Sequence, residues 1–138
     1  MARYLLDTNV LSELSRPRPS AAVTEWLRST PPQDVATSII VIGEILEGVL
    51  LLEHKDPQNA LRLQRWLDEI EATHLVLAVD EPAIREWARM RVRLSRRHGF
   101  EDMLIAATAL AHRLTVVTRN VRDFMEFGVP VLDPWREG

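Results

Sequence analysis

Tyr4-Leu5-Leu6-Asp7-Thr8-Asn9-Val10-Leu11 is the stretch on which the fold turns. Three apolar residues stop at an aspartate, and polar Thr8-Asn9 lead into apolar residues at helical spacing. This reads as a short buried strand giving way to a helix, with Asp7 at the C-terminal tip of the strand. The same alternation continues outward. A helix over 10–14 stops near Arg16-Pro17-Arg18-Pro19, and a second covers 21–28 before Pro31-Pro32. Residues 34–38 read as a short strand and turn, and 39–52 as an almost wholly apolar helix. Asp56-Pro57 opens the next helix with an N-cap and a proline at the first helical position. A strand over 74–79 follows, then a helix capped by Asp80-Glu81-Pro82 and running to about Arg97. Asp102 precedes a helix over 103–112; 114–118 is the clearest strand, and 129–132 completes the set.

Strands alternate with helices, and no two strands lie close enough for a tight hairpin. The pattern predicts an α/β fold, a three-layer α/β/α sandwich with a central, mostly parallel sheet covered on both faces. Nothing reads as a linker, repeat or low-complexity stretch, so residues 1–138 are expected to form one domain.

Composition narrows the chemistry. The absence of cysteine excludes disulfides and thiolate zinc sites. The opening reaches Asp7 after three apolar residues, too few for the apolar core of a signal peptide, and 39–52 is too short and too charged to span a bilayer. A cytoplasmic location away from the membrane is therefore expected. The net charge of −3 disfavours tight non-specific binding to nucleic acid. Yet 16 of the 17 basic residues are arginine, whose planar fork suits phosphate and carboxylate, although GC-rich coding explains such a bias equally well.

In open parallel sheets ligands bind beyond the C-terminal ends of the strands. Asp7 sits at one such end, Thr118-Arg119-Asn120 with Asp123 at another, and Asp102 opens the helix leading into that second strand. Glu44 falls within the apolar helix, where an unpaired charge costs several kcal/mol, about the penalty of a buried ion. Each has a plain alternative: Asp7 or Asp102 as a helix cap, Glu44 in an ion pair with an arginine. Together they are more telling, because carboxylates at ~4 Å repel by about 4 kcal/mol per pair at an effective dielectric near 20. An all-oxygen cluster points to Mg²⁺ or Mn²⁺ rather than zinc.

These residues resemble a known family, the PIN-domain ribonucleases, and within it the VapC and FitB-like toxins of toxin–antitoxin pairs. Leu5-Leu6-Asp7-Thr8-Asn9-Val10-Leu11 is similar to the family's first-strand signature. Val41-Ile42-Gly43-Glu44-Ile45-Leu46-Glu47-Gly48 carries its helical glutamate, and Asp102-Met103-Leu104-Ile105-Ala106-Ala107-Thr108-Ala109 its third acidic motif. Residues 114–124 match the strand and loop that follow, and Asp133-Pro134-Trp135 is similar to the FitB-like C-terminus. The resemblance implies metal-dependent endoribonuclease activity, with Asp7, Glu44 and Asp102 binding Mg²⁺ or Mn²⁺ and a metal-activated water attacking the phosphodiester. At the fourth acidic position the chain departs from the pattern. Asn120 stands there with Asp123 three residues on, which leaves open whether one metal ion or two is held. Thr8, Asn9 and Thr118 are candidates to hold the carboxylates, and Arg119 to contact RNA phosphate. The family also implies a cognate antitoxin of the VapB or FitA kind, a homodimer, and higher toxin–antitoxin assemblies. The apolar segment 39–52 would serve as an interface, unless it is a central helix buried on both sides.

Arg85, Arg89, Arg93 and Arg96 recur at helical spacing, as either an RNA-binding stripe or solvated surface, and Arg91 on the apolar side would reach towards a carboxylate. Trp26, Trp66 and Trp87 read as core, and the four histidines as structural or solvated. A receiver domain is excluded because the sole lysine, Lys55, lies between helices. A haloacid-dehalogenase-type phosphotransferase needs an aspartate where Asn9 stands. The remaining rivals are a catalytically inert PIN-fold binding module and a DNA-directed nuclease, whose usual clamp insertions find no room here.

Overall fold

The computed structural model describes residues 1–94 and 98–136. In chain order the elements are β1 (Tyr4–Leu6), α1 (Thr8–Leu14), α2 (Ala21–Arg28), β2 (Val35–Ser38), α3 (Ile39–Leu52), α4 (Pro57–Thr73), β3 (Leu75–Leu77), α5 (Glu81–Arg93), α6 (Phe100–His112), β4 (Thr115–Val117), α7 (Val121–Glu126) and β5 (Val131–Leu132), with a 3-10 turn over Pro32–Asp34 leading into β2.

The strands form one sheet in the order β3-β2-β1-β4-β5, and every pairing is parallel. Helices flank it in the expected three-layer arrangement. Parallel strands buried on both faces carry continuous apolar runs. Leu5, Val116 and Val117 are accordingly sealed from solvent. All four residues of β2 are buried as well, although Val35-Ala36-Thr37-Ser38 is a weak strand sequence. Its polar half is satisfied internally: the Thr37 hydroxyl donates to the carbonyl of Leu6 (3.2 Å), and Ser38 Oγ accepts the Ile40 amide (3.0 Å), capping α3.

The strand order gives the molecule its functional polarity. From β1 the chain builds outward to β2 and β3, then returns to lay β4 and β5 on the other side of β1. The crevice between the C-terminal ends of β1 and β4 is the topological switch point where open α/β sheets place their ligands. Asp7 follows β1 and Thr118 follows β4, and the Asp7 amide donates to the Val117 carbonyl (3.0 Å) across that seam.

Several expectations are corrected. α6 begins at Phe100, with Gly99 rather than Asp102 at its N-cap. It is buried continuously from Met103 to Ala109, and its run of alanines lets neighbouring backbone approach on all sides. α5 ends at Arg93, because Leu94 is extended; Arg96 and Arg97 lie outside the described residues. α7, which contains Asp123, is a helix where a loop was expected. α3 is not a central helix covered on both sides, since Ile39, Leu50 and Leu51 are 45, 52 and 71 % exposed. Trp26, Trp66 and Trp87 pack against the core, as read. Among the described residues no helix is long and apolar enough to cross a membrane.

Candidate active site

Asp7 is only 4 % exposed and performs two tasks. Its Oδ1 accepts the Thr8 amide (2.8 Å), which starts α1 by satisfying one of the free N–H groups of its first turn. Its Oδ2 accepts from the Thr118 hydroxyl (2.8 Å) and from Asn9 Nδ2 (3.4 Å). Thr118, fully buried at the end of β4, is the hub of this corner. Besides donating to Asp7, its Oγ1 accepts from Asn9 Nδ2 (3.2 Å) and from the Asn120 amide (2.9 Å). Asn9 Oδ1 in turn accepts the Arg119 amide (3.2 Å), tying the start of α1 to the loop after β4.

Glu44 reaches the same corner from α3. Its Oε1 accepts from the Thr8 hydroxyl (2.5 Å), and no basic side chain among the described residues pairs with it, with Asp7 or with Asp102. Glu44 is half-buried rather than enclosed, so its cost is smaller than the apolar pattern of α3 implied. Asp102, at the third position of α6, caps nothing, and its carboxylate faces the others. Asp7, Glu44 and Asp102 line one open cavity of about 440 Å³ together with Thr8, Asn9 and Asn120.

The electrostatics record this convergence. Asp102 is pushed up from 3.8 to about 6, first by burial and then by the negative charges of Asp7, Glu44, Asp123 and Glu101. Burial also raises Asp7, against the lowering effect of its bonds from Thr118 and Thr8, and Glu44 raises it further. The donor set therefore fits a hard divalent cation: it is all oxygen, mutually repelling, and without a basic partner among the described residues. The carboxylates are spread around the cavity, however. Among the described residues no three His, Asp or Glu side chains gather closely enough to hold one ion as they stand.

Asn120 lines the cavity and donates from Nδ2 to Asp123 Oδ2 (3.2 Å). Asp123 is not in the wall; it sits behind Asn120 and acts on the site as a nearby charge and as the acceptor that orients the amide. Arg119 stands at the rim with its guanidinium over the Trp135 ring, 4.8 Å from the centroid.

The other arginines are differently engaged. Arg85 pairs with Glu81 (2.8 Å), Arg89 with Glu86 (3.1 Å), and Arg93 donates to the carbonyls of Glu126 and Phe127. Arg91 lies over the Trp87 ring (5.6 Å) instead of reaching a carboxylate. Ser12, Glu13, Arg16 and Trp135 also line the cavity and were not anticipated. With Asn9, Ser12 and Glu13 share one face of α1 at three- and four-residue spacing, and Arg16 continues that spacing just past the helix end, so the face would have revealed them.

A family profile described as PIN domain matches residues 4–128. The chain belongs to the PIN-domain family. This PIN domain is 40 % identical to Toxin FitB of Neisseria gonorrhoeae over 96 % of its own length and 99 % of that protein's. It is 29 % identical to the VapC ribonuclease Y4jK of Sinorhizobium fredii, covering 95 % of this chain and 96 % of the relative. The crystal structure of FitAcB from N. gonorrhoeae superposes with a TM-score of 0.88 at 36 % identity, over 96 % of this chain and 99 % of that one.

Proposed function

We propose that this PIN domain is a metal-dependent endoribonuclease acting as the toxin of a toxin–antitoxin pair. The observation that carries the proposal is the cluster of uncompensated carboxylates at the switch point, with Asp102 raised to about 6 first by burial and then by the charges of its neighbours. Its kinship with a FitB toxin and a VapC ribonuclease supports RNA as the substrate.

Asp7, Glu44 and Asp102 would hold Mg²⁺ or Mn²⁺. When bound, the ion supplies Lewis acidity towards the phosphoryl oxygens and lowers the pKa of water at the site. The protein's own contribution is positional. Thr118, Asn9 and the Thr8 amide fix both oxygens of Asp7, so that this ligand is preorganised. Asp102 carries its charge without a hydrogen bond among the described residues and is free to turn to a cation. Glu44 exchanges its bond from Thr8 for the same purpose. Asn120, oriented by Asp123, presents a neutral polar group that adds no further negative charge beside the scissile phosphate. We further assign a partner antitoxin of the VapB or FitA kind, and a homodimer, within a larger toxin–antitoxin assembly, built on the exposed apolar residues of α3.

Purified protein freed of partner should cleave RNA in Mg²⁺ or Mn²⁺, and EDTA, Asp7→Asn or Asp102→Asn should abolish cleavage. Cleavage that persists in EDTA would overturn the metal mechanism. One observation favours the alternative of a catalytically inert PIN-fold binding module: Glu44 is turned to Thr8 and the carboxylates are spread. Calorimetric titration showing no affinity for either ion would select that alternative.

A further inference from the structure

The acidic cavity has two unlike flanks. Arg119 and Asn120 also line an adjoining hollow of about 440 Å³ whose wall includes Arg122, Val131 and Arg136, the last paired with the Asp133 carboxylate (3.8 Å) that shares the wall. On the other side Glu44 is shared with a hollow of about 340 Å³ whose wall includes Glu47, Glu101, Ile39 and Phe100. A polyanion leaving the carboxylates in one direction meets guanidinium groups. In the other direction it meets more carboxylates.

The basic flank has a built lip. Asp133 Oδ1 accepts the Trp135 amide (3.0 Å), and its carbonyl accepts the Arg136 amide (3.1 Å), closing a turn on buried Pro134. That turn holds the half-buried Trp135 indole against the Arg119 guanidinium. Neither Arg119 nor Arg122 forms an ion pair among the described residues, unlike Arg85 and Arg89. A guanidinium stacked on an indole is restrained in direction yet keeps its N–H donors for an anion.

We propose that single-stranded RNA flanking the scissile phosphate leaves the acidic cavity over the Arg119–Trp135 lip and enters the Arg122 hollow. Arg119 and Arg122 contact successive backbone phosphates. Trp135 is a positioning residue that aims Arg119. This inference rests on the ribonuclease reading and adds to it the path and direction of the substrate strand. It also sets aside Arg85, Arg89 and Arg93 of the α5 stripe, which are held by acids or backbone carbonyls.

The test uses the full chain carrying Asp7→Asn to prevent turnover. Fluorescence polarisation follows a labelled single-stranded RNA of about 12 nucleotides, in Mg²⁺, from about 50 to 200 mM salt. Arg119→Ala and Arg122→Ala should each weaken binding roughly tenfold, the scale of one charge-assisted contact. Each should also flatten the log–log salt slope by about 0.7. Trp135→Ala should reproduce Arg119→Ala, the double variant should be no worse than either, and Trp135→Phe should retain most of the affinity. Arg85→Ala should leave binding unchanged, and thermal melts check that each variant is folded. A parent protein that binds RNA while Arg119→Ala and Arg122→Ala keep its affinity and slope overturns this path alone. So does an Arg85→Ala loss as large as theirs. A parent that binds no RNA at any salt overturns the ribonuclease reading with it.

Discussion

Asp102→Asn should make the metal-free protein more stable while abolishing its activity. The raised pKa of Asp102 means that the folded state resists its ionisation more than the unfolded chain does. Stability contributed by this group is therefore greatest below pH 4 and is lost as pH rises through about 6. A displacement of about two pH units corresponds to roughly 3 kcal/mol at 1.36 kcal/mol per unit. Solvent reaches this half-buried carboxylate and screens its neighbours, which reduces the figure to about 1–2 kcal/mol. Removing the charge without changing the shape should recover that amount at pH 7, raising Tm by roughly 3–8 °C for a domain of this size. The assay is a pair of melts in EDTA at pH 7 and pH 4, followed by one in excess Mg²⁺. In EDTA at pH 7 the variant should melt above wild type, and at pH 4 the two should coincide. With Mg²⁺ at ~100 times its Kd, wild type should gain about 2.7 kcal/mol that the variant largely forgoes, so the order reverses. A variant that melts at or below wild type in EDTA at pH 7 would refute the claim that burial and the neighbouring carboxylates make the ionised form of Asp102 costly to the fold.

Three other outcomes follow from the same geometry. Mn²⁺ affinity, measured by calorimetry, should rise steeply between pH 5 and 7 with a midpoint near 6, because the cation competes with the proton for Asp102. Thr118→Val removes the donor to Asp7 and the acceptor for Asn9 and Asn120. It should lower stability by about 1–3 kcal/mol in denaturant melts and reduce metal affinity or cleavage by roughly 10–100-fold. Ala107→Leu inserts three carbons into a fully buried position of α6 and should cost about 1–3 kcal/mol by the same melts, with no local surface to absorb it.

Much of the architecture was legible because local signals agree with the tertiary structure. Ser38 and Asp56 cap the helices they precede, and Pro57 opens α4 from its first position. Asp7 marks both the end of β1 and the start of α1. What escaped was set by packing. Periodicity could not tell that Gly99 would begin α6, leaving Asp102 inside the first turn and free for the cavity. Nor could it place α7, which is only six residues long and has no side-chain cap. The three carboxylates singled out in the sequence line one cavity, but their depth of burial was not legible. Glu44 sits among apolar residues in sequence, yet α3 exposes its ends and lets solvent reach the glutamate. The division of labour between Asn120 and Asp123 depends on a single hydrogen bond that no spacing rule encodes.

Asp7 both opens α1 and bonds through its amide to β4, at the centre of the sheet. Local fraying of the edge strands or of exposed helix ends leaves it untouched, so its amide should exchange with solvent only when the whole sheet opens. On the role proposed for Asp7, loss of cleavage on heating should therefore track loss of the sheet core, with no temperature range in which an intact sheet has already lost its central carboxylate.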